Sequence, residues 1–119
     1  MTAISFDPVL ETLTRHRGVS AGLVVSESDG IVVEARVRVG ERGDRVAALA
    51  ASLYRKARLS AEAAGLGAVG LLQLEAEHGR IFAVGRGDLV LVVVAARDSN
   101  VGLIRVEMLG ALTRLERLV

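Results

Sequence analysis

Residues Leu89 to Ala96 form an unbroken apolar run in which no polar position marks a solvent side. Leu89, Leu91 and Val93 fall on one face of an extended chain and Val90, Val92 and Val94 on the other. β-branched side chains at this density favour a strand. A strand apolar on both faces must lie inside a sheet that is covered on both sides. The run is far shorter than the roughly 18–20 residues a membrane helix needs. One strand therefore demands a layered arrangement, with helices above and below a sheet.

The rest of the chain supplies those parts. Pro8 to His16 reads as a first helix, with Asp7 as N-cap, Pro8 opening it, Val9, Leu10 and Leu13 at helical spacing, and Gly18 ending it. Ala21 to Ser26 and Ile31 to Val37 read as two strands joined through Glu27-Ser28-Asp29-Gly30, an Asp-Gly hairpin signal. In the second strand Val33, Ala35 and Val37 share one face and Glu34, Arg36 and Arg38 the other, which places one side in water. Gly40 to Gly43 is a turn. Asp44 then caps a long helix to about Gly65. Its core face is predicted to carry Val46, Leu49, Ala50, Leu53, Ala57 and Ala64. Its outer face is predicted to carry Ala48, Ala51, Ser52, Arg55, Arg58, Leu59 and Glu62.

Three strands follow, at Ala68–Glu75, Gly79–Gly85 and Leu89–Ala95, separated by short turns. Asn100 caps a last helix, Val101 to Leu118, whose buried stripe is Ile104, Met108, Ala111, Leu112 and Leu115, with Glu107, Arg114 and Arg117 outward. The order is helix, two strands, helix, three strands, helix. That is an α+β sandwich: a five-stranded, mostly antiparallel sheet with the long second helix on one face and the terminal helices on the other. At 119 residues the whole chain, 1–119, is read as one domain. With one Tyr, two Phe and no Trp, its core must be aliphatic.

Several function classes fall away. Fifteen basic against 14 acidic residues leave no basic excess for general nucleic-acid binding. Without cysteine there is no disulfide framework, thiol nucleophile or Cys-ligated zinc. The segment Met1–Phe6 has neither the basic start nor the apolar run of a signal peptide, and the expected location is cytoplasmic.

Gly18-Val19-Ser20-Ala21-Gly22 matches G-x-S-x-G, but a nucleophile elbow needs a strand before the serine and a helix after it. Here the order is reversed. The only lysine, Lys56, is mid-helix, so the chain has no P-loop. Gly85-Arg86-Gly87 joins two strands and opens no helix for a pyrophosphate. His16 and His78 stand apart, with no metal-ligand spacing around them, and Glu75 and Glu77 read as solvated charges. No cofactor, metal or catalytic residue is expected.

Three stretches carry a family resemblance. Val24-Val25-Ser26-Glu27-Ser28-Asp29-Gly30-Ile31-Val32-Val33, Ala47-Ala48-Leu49-Ala50-Ala51-Ser52-Leu53 and Asn100-Val101-Gly102-Leu103-Ile104-Arg105-Val106-Glu107 occur in an order that resembles the roadblock/dynein light chain family, including the bacterial MglB-type partners of Ras-like GTPases. The resemblance covers about Val9 to Leu118. It implies a non-enzymatic module that forms homodimers or heterodimers, pairing third strands edge to edge and second helices side by side. It also implies that the helix pair docks a Ras-like small GTPase.

The residues themselves lend support. The third strand carries Val69, Leu71, Leu72 and Leu74 with no Pro or Lys to guard an edge. The expected dimer contacts are Val69, Leu71, Gln73, Glu75, Ala48, Ala51 and Ser52. The expected partner contacts are Ala51, Arg55, Arg58, Leu59 and Glu62. A scaffold subunit without effect on GTP hydrolysis is the alternative. A small-molecule sensor is a third class, for which the aliphatic core offers few polar anchors.

Overall fold

The computed structural model describes residues 5–38 and 43–118, with side chains in the second segment from Arg45 onward. Eight elements follow in order: α1 (Asp7–Thr14), β1 (Val19–Ser26), β2 (Val32–Val37), α2 (Gly43–Ala63), β3 (Leu72–Ala76), β4 (Gly79–Arg86), β5 (Leu89–Ala95) and α3 (Val101–Leu118). The strands form one sheet in the order β2-β1-β5-β4-β3, antiparallel at every junction. β5 is the central strand, as its doubly apolar pattern requires. The expected α+β sandwich is the fold observed.

The two faces of β5 serve two cores. Leu91 and Val93 pack with Val24 of β1, Phe82 of β4, Leu10 and Leu13 of α1, and Met108 and Leu112 of α3. Val90 and Val92 pack with Leu23, Val25 and Ala83 beneath Ala47, Ala50, Ala51 and Tyr54 of α2. Each fully buried Val or Leu contributes roughly 1.5–3 kcal/mol relative to exposure. No buried polar side chain interrupts either core among the described residues.

α3 matches its expected limits and stripe, and Asn100 Oδ1 accepts the Leu103 N–H at 3.0 Å as its cap. The β1–β2 turn matches as well. Gly30 adopts φ +72°, a conformation that glycine takes without strain, and Asp29 Oδ1 accepts the Ile31 N–H at 3.0 Å. Asp88 in the β4–β5 turn binds this turn from the side. Its carboxylate accepts the Ser28 N–H at 3.1 Å and the Ser26 hydroxyl at 2.9 Å.

Four expectations need correction. Asp7 does not cap α1, since Phe6 holds the N-cap position and Asp7 is the first helical residue. Asp7 instead pairs with Arg36 at 2.8 Å, and that hydrogen bond holds its carboxyl below the usual range. β3 begins at Leu72 rather than Ala68. In β2, Val33, Ala35 and Val37 are exposed, while Val32 packs on the α2 side and Glu34 accepts the Phe6 N–H at 3.0 Å. A bulge is the cause. Val24 faces Glu34 but Val25 faces Val32, which leaves Val33 as an extra residue and breaks the simple alternation.

The fourth correction matters most: α2 is rotated from its expected setting. Ala47, Ala50, Ala51 and Tyr54 face the sheet, whereas Leu49 and Leu53 are 58% and 40% exposed. The small side chains let the helix lie close to the strands. The Gly40–Arg42 turn lies outside the described residues, as does the side chain of the expected cap Asp44.

Tyr54 sets how close the helix comes. A Cβ on Gly85 would fall 2.5 Å from Tyr54 Cε1 and 2.7 Å from Cζ, so the ring rests on bare backbone. Gly85→Val is expected to cost about 1–3 kcal/mol by overpacking. Chemical denaturation should show this as a lower midpoint with an unchanged slope.

A candidate protein–protein interface

The registers arrange the α2 side of the sheet in cross-strand rows. One row runs Ala35, Leu23, Val92, Ala83, Leu72, and the next Val37, Ala21, Val94, Ile81, Leu74. α2 covers the middle of the first row, Leu23, Val92 and Ala83, with Leu72 half-buried and Ala35 exposed at its ends. In the second, Ala21 is buried and Val94 and Ile81 are half-buried, while the two ends, Val37 and Leu74, are 37% and 39% exposed. The main footprint of α2 falls on β1, β2, β4 and β5. The β3 end of the second row is left without a roof.

The direction of α2 explains the gap. Ala48 abuts Gly30 in the β1–β2 turn, so the flank bearing Ala48, Ser52, Arg55 and Glu62 is turned toward that end of the sheet. Leu49 and Leu53 lie about 100–140° further round the helix. Leu53 projects from the other flank, whereas Leu49 points largely away from the sheet. Ile81, Leu72 and Leu74 thus form an apolar trough on the sheet that ends at its free edge.

That edge is β3. Glu77 and His78 form the two-residue loop between Ala76 and Gly79, which makes Ala76–Gly79 a hydrogen-bonded pair. The alternation then assigns Leu74–Ile81 and Leu72–Ala83 to the same class. Gln73 and Glu75, between them, turn their backbone N–H and C=O groups away from β4. A two-fold axis at Leu74 would pair Gln73 with Glu75 of a second copy, and would set Leu74 against its own counterpart.

The expected site residues divide accordingly. Gln73 and Glu75 occupy the edge, and Glu75 also accepts from Arg80 Nε at 3.0 Å. Val69 and Leu71 precede β3 and are half-buried, Val69 against the α2-side core and Leu71 against the other. Ala48, Ser52, Arg55, Leu59 and Glu62 are exposed on α2. Ala51 is 1% exposed and belongs to the core, so its place among the outward contacts is corrected. Arg58 is half-buried and tied to Glu27 Oε1 at 2.6 Å, and this hydrogen bond raises its pKa. It anchors α2 to the end of β1.

Leu49 and Leu53 were missed as surface residues. The available signal was the run Ala47-Ala48-Leu49-Ala50-Ala51. A helix that puts alanines on one side and leucines on another can bury either, and close approach to a sheet selects the alanines.

No cluster of potential metal ligands occurs among the described residues, and no helix there is long and apolar enough to cross a membrane. The clefts are open. One, of about 390 Å³, runs past Tyr54, the Arg58–Glu27 pair and Leu109.

The fold is shared with known structures. A Roadblock/LC7 domain from Streptomyces avermitilis superposes with a TM-score of 0.84 at 22% identity, covering 93% of this chain and 94% of that one. MglB of Myxococcus xanthus gives 0.82 at 18% identity over 96% of each chain. The gliding protein mglB of Thermus thermophilus gives 0.82 at 19% identity, covering 95% of this chain and 87% of that one. In sequence, the protein MJ0310 of Methanocaldococcus jannaschii is 30% identical over 110 residues, 92% of this chain and 96% of its own length. A second protein of that organism, MJ0714, is 30% identical over 98% of both chains. The Roadblock/LC7 domain model matches residues 6–95. The chain belongs to the Roadblock/LC7 domain family.

Proposed function

We propose that this protein is a dimeric, non-enzymatic regulator of a small Ras-like GTPase, acting in the cytoplasm without a cofactor. One observation carries the dimer. The free β3 edge and the unroofed row beside it meet at Leu74, so a single partner can satisfy both. A second copy fits because the edge is complementary to itself, Gln73 to Glu75 and Glu75 to Gln73. An unguarded apolar edge is otherwise an aggregation hazard. In the paired arrangement Leu49 and Leu53 of the two copies come together over the joined strands.

The GTPase is the finer step. Its support is the resemblance to MglB-type regulators, together with the absence of a P-loop in this chain. The exposed flank with Arg55, Leu59 and Glu62 is assigned to the partner. It stays outside the dimer contact and carries charges able to set orientation. Regulation would proceed by favouring one conformation of the GTPase. The second reading is a scaffold that binds without altering hydrolysis, and the same surfaces serve it.

Two outcomes test the dimer. Gln73→Pro removes one outward-facing donor and leaves the β3–β4 ladder whole, since proline is tolerated on an edge strand. Sedimentation should show a folded protein whose dimer dissociation constant rises about tenfold or more. Leu74→Lys should also give monomers, by placing a charge in the trough. Dimers of unchanged affinity in both variants would remove the β3 interface.

The partner surface is tested at Arg55, since reversing Arg58 would set a carboxylate against Glu27 and disturb the fold. Co-purification from the source cells should recover a small P-loop GTPase. Arg55→Glu should weaken its binding several-fold with an unchanged melting curve. A hydrolysis rate that does not respond to the bound protein would favour the scaffold. Failure to recover any GTPase would overturn the regulatory reading.

A further inference from the structure

On the sheet face opposite α2, the helix α3 presents a second apolar strip that its own chain does not cover. Leu103, Val106 and Leu109 are 44%, 67% and 53% exposed, although the helix already buries Ile104, Met108, Ala111, Leu112 and Leu115 on its inner side. At about 100° per residue, Val106, Leu109 and Thr113 fall within about 60° of one another. Gly102 and Gly110 stand beside them without side chains, so the surface next to Val106 is low.

The borders of the strip are basic. Arg105 lies on one side, Arg114 on the other, and Arg117 one turn beyond Thr113. None of the three is ion-paired among the described residues, whereas the two carboxylates nearby have partners: Glu116 is held by Arg86, and Glu107 on the Arg114 side lies 3.6 Å from His16 Nε2. Beside Leu109 the strip dips into a cleft of about 380 Å³ lined by Gly70, Leu71, Gln73, Arg105 and Leu109.

We infer that the outer face of α3 is a second docking surface, built for an amphipathic helix of a partner protein whose apolar stripe is bordered by acidic residues. The small residues along the strip allow a helix to approach to the usual 8–10 Å between axes, roughly. The unpaired arginines along both borders meet carboxylates on the two flanks of the incoming helix. The cleft at Leu109 takes a projecting side chain. A bilayer fits this surface less well: the strip has no Trp or Phe to anchor at the headgroups, and a flat interface does not fill the cleft. The strip lies on the sheet face opposite the β3 trough, and its cleft at Leu109 reaches as far as Gln73 on the sheet edge. Because α2 and α3 lie on opposite faces of the sheet, both can be occupied at once.

The test uses the intact protein and a designed helical peptide as long as α3, with a leucine stripe bordered by glutamates. A matched peptide bordered by lysines is the control. The glutamate peptide should bind saturably, at least about tenfold tighter than the lysine peptide, and should weaken as salt is raised. Val106→Asp and the double variant Arg105→Glu, Arg117→Glu should each lower its affinity about tenfold or more. All three positions are exposed, and an unchanged melting curve confirms that the fold is intact. Equal binding of both peptides, or full affinity in both variants, would overturn the proposal. So would binding to vesicles of phosphatidylcholine with phosphatidylserine, lost in the double variant, in the absence of peptide binding.

Discussion

The contact on which most of this structure depends is the close seating of α2 on the sheet. Ala47, Ala50 and Ala51 bring little volume to the interface, and Tyr54 rests on the bare backbone of Gly85. A helix held this near cannot also insert Leu49 or Leu53 beneath itself. Those side chains stay exposed on the helix, and the row at Ile81 and Leu74 that the narrow helix does not reach stays uncovered. The interior packing of one monomer therefore creates its exposed trough. A larger residue at 47, 50 or 51 would lift the helix and alter the surface as well as the core.

This coupling also explains what could be read from the sequence and what could not. The doubly apolar β5 dictated a central strand and two covering layers, and both are found. The stripe of α3 was legible because its Leu, Ile and Met positions repeat without competitors. The Asp-Gly turn was legible because glycine at positive φ leaves few alternatives. The setting of α2 was not legible, since alanine and leucine are both apolar and periodicity weighs them alike. Which of them goes inward is decided by the distance to the sheet, a tertiary quantity. The face of β2 was misread for a different reason. One bulged residue, Val33, shifts the alternation, and no local signal marks a bulge without glycine. The site followed the same division. Gln73 and Glu75 were expected on the third strand and lie on the edge strand β3, while Leu49 and Leu53 of α2 were assigned to the core and are exposed.

The two sheet faces solve their covering problem differently. On one, α1 and α3 together spread over all but the β3 edge, and Phe6 seals the gap at the start of α1. On the other, a single helix of 21 residues must serve five strands. Helices pack about 8–10 Å apart, while neighbouring strands lie about 4.8 Å apart. One helix therefore spans roughly two strands where it crosses squarely, and more only by running obliquely. α2 takes the oblique course, from the β1–β2 turn at Ala48 to β4 at Gly85, and it still leaves all of β3 beyond Leu72 exposed.

A monomer of this topology thus carries a deficit of one helix on one face, located at the sheet edge. Lengthening α2 would not remove the deficit, because the helix has already crossed the sheet by Tyr54. Adding polar residues to β3 would spoil its pairing with Ile81 and Ala83 on the same face. The remaining solution is a second helix delivered from outside, beside an additional strand. In the proposed dimer a copy of the same chain would provide both, because its own α2 packs on the strands beside its own free β3.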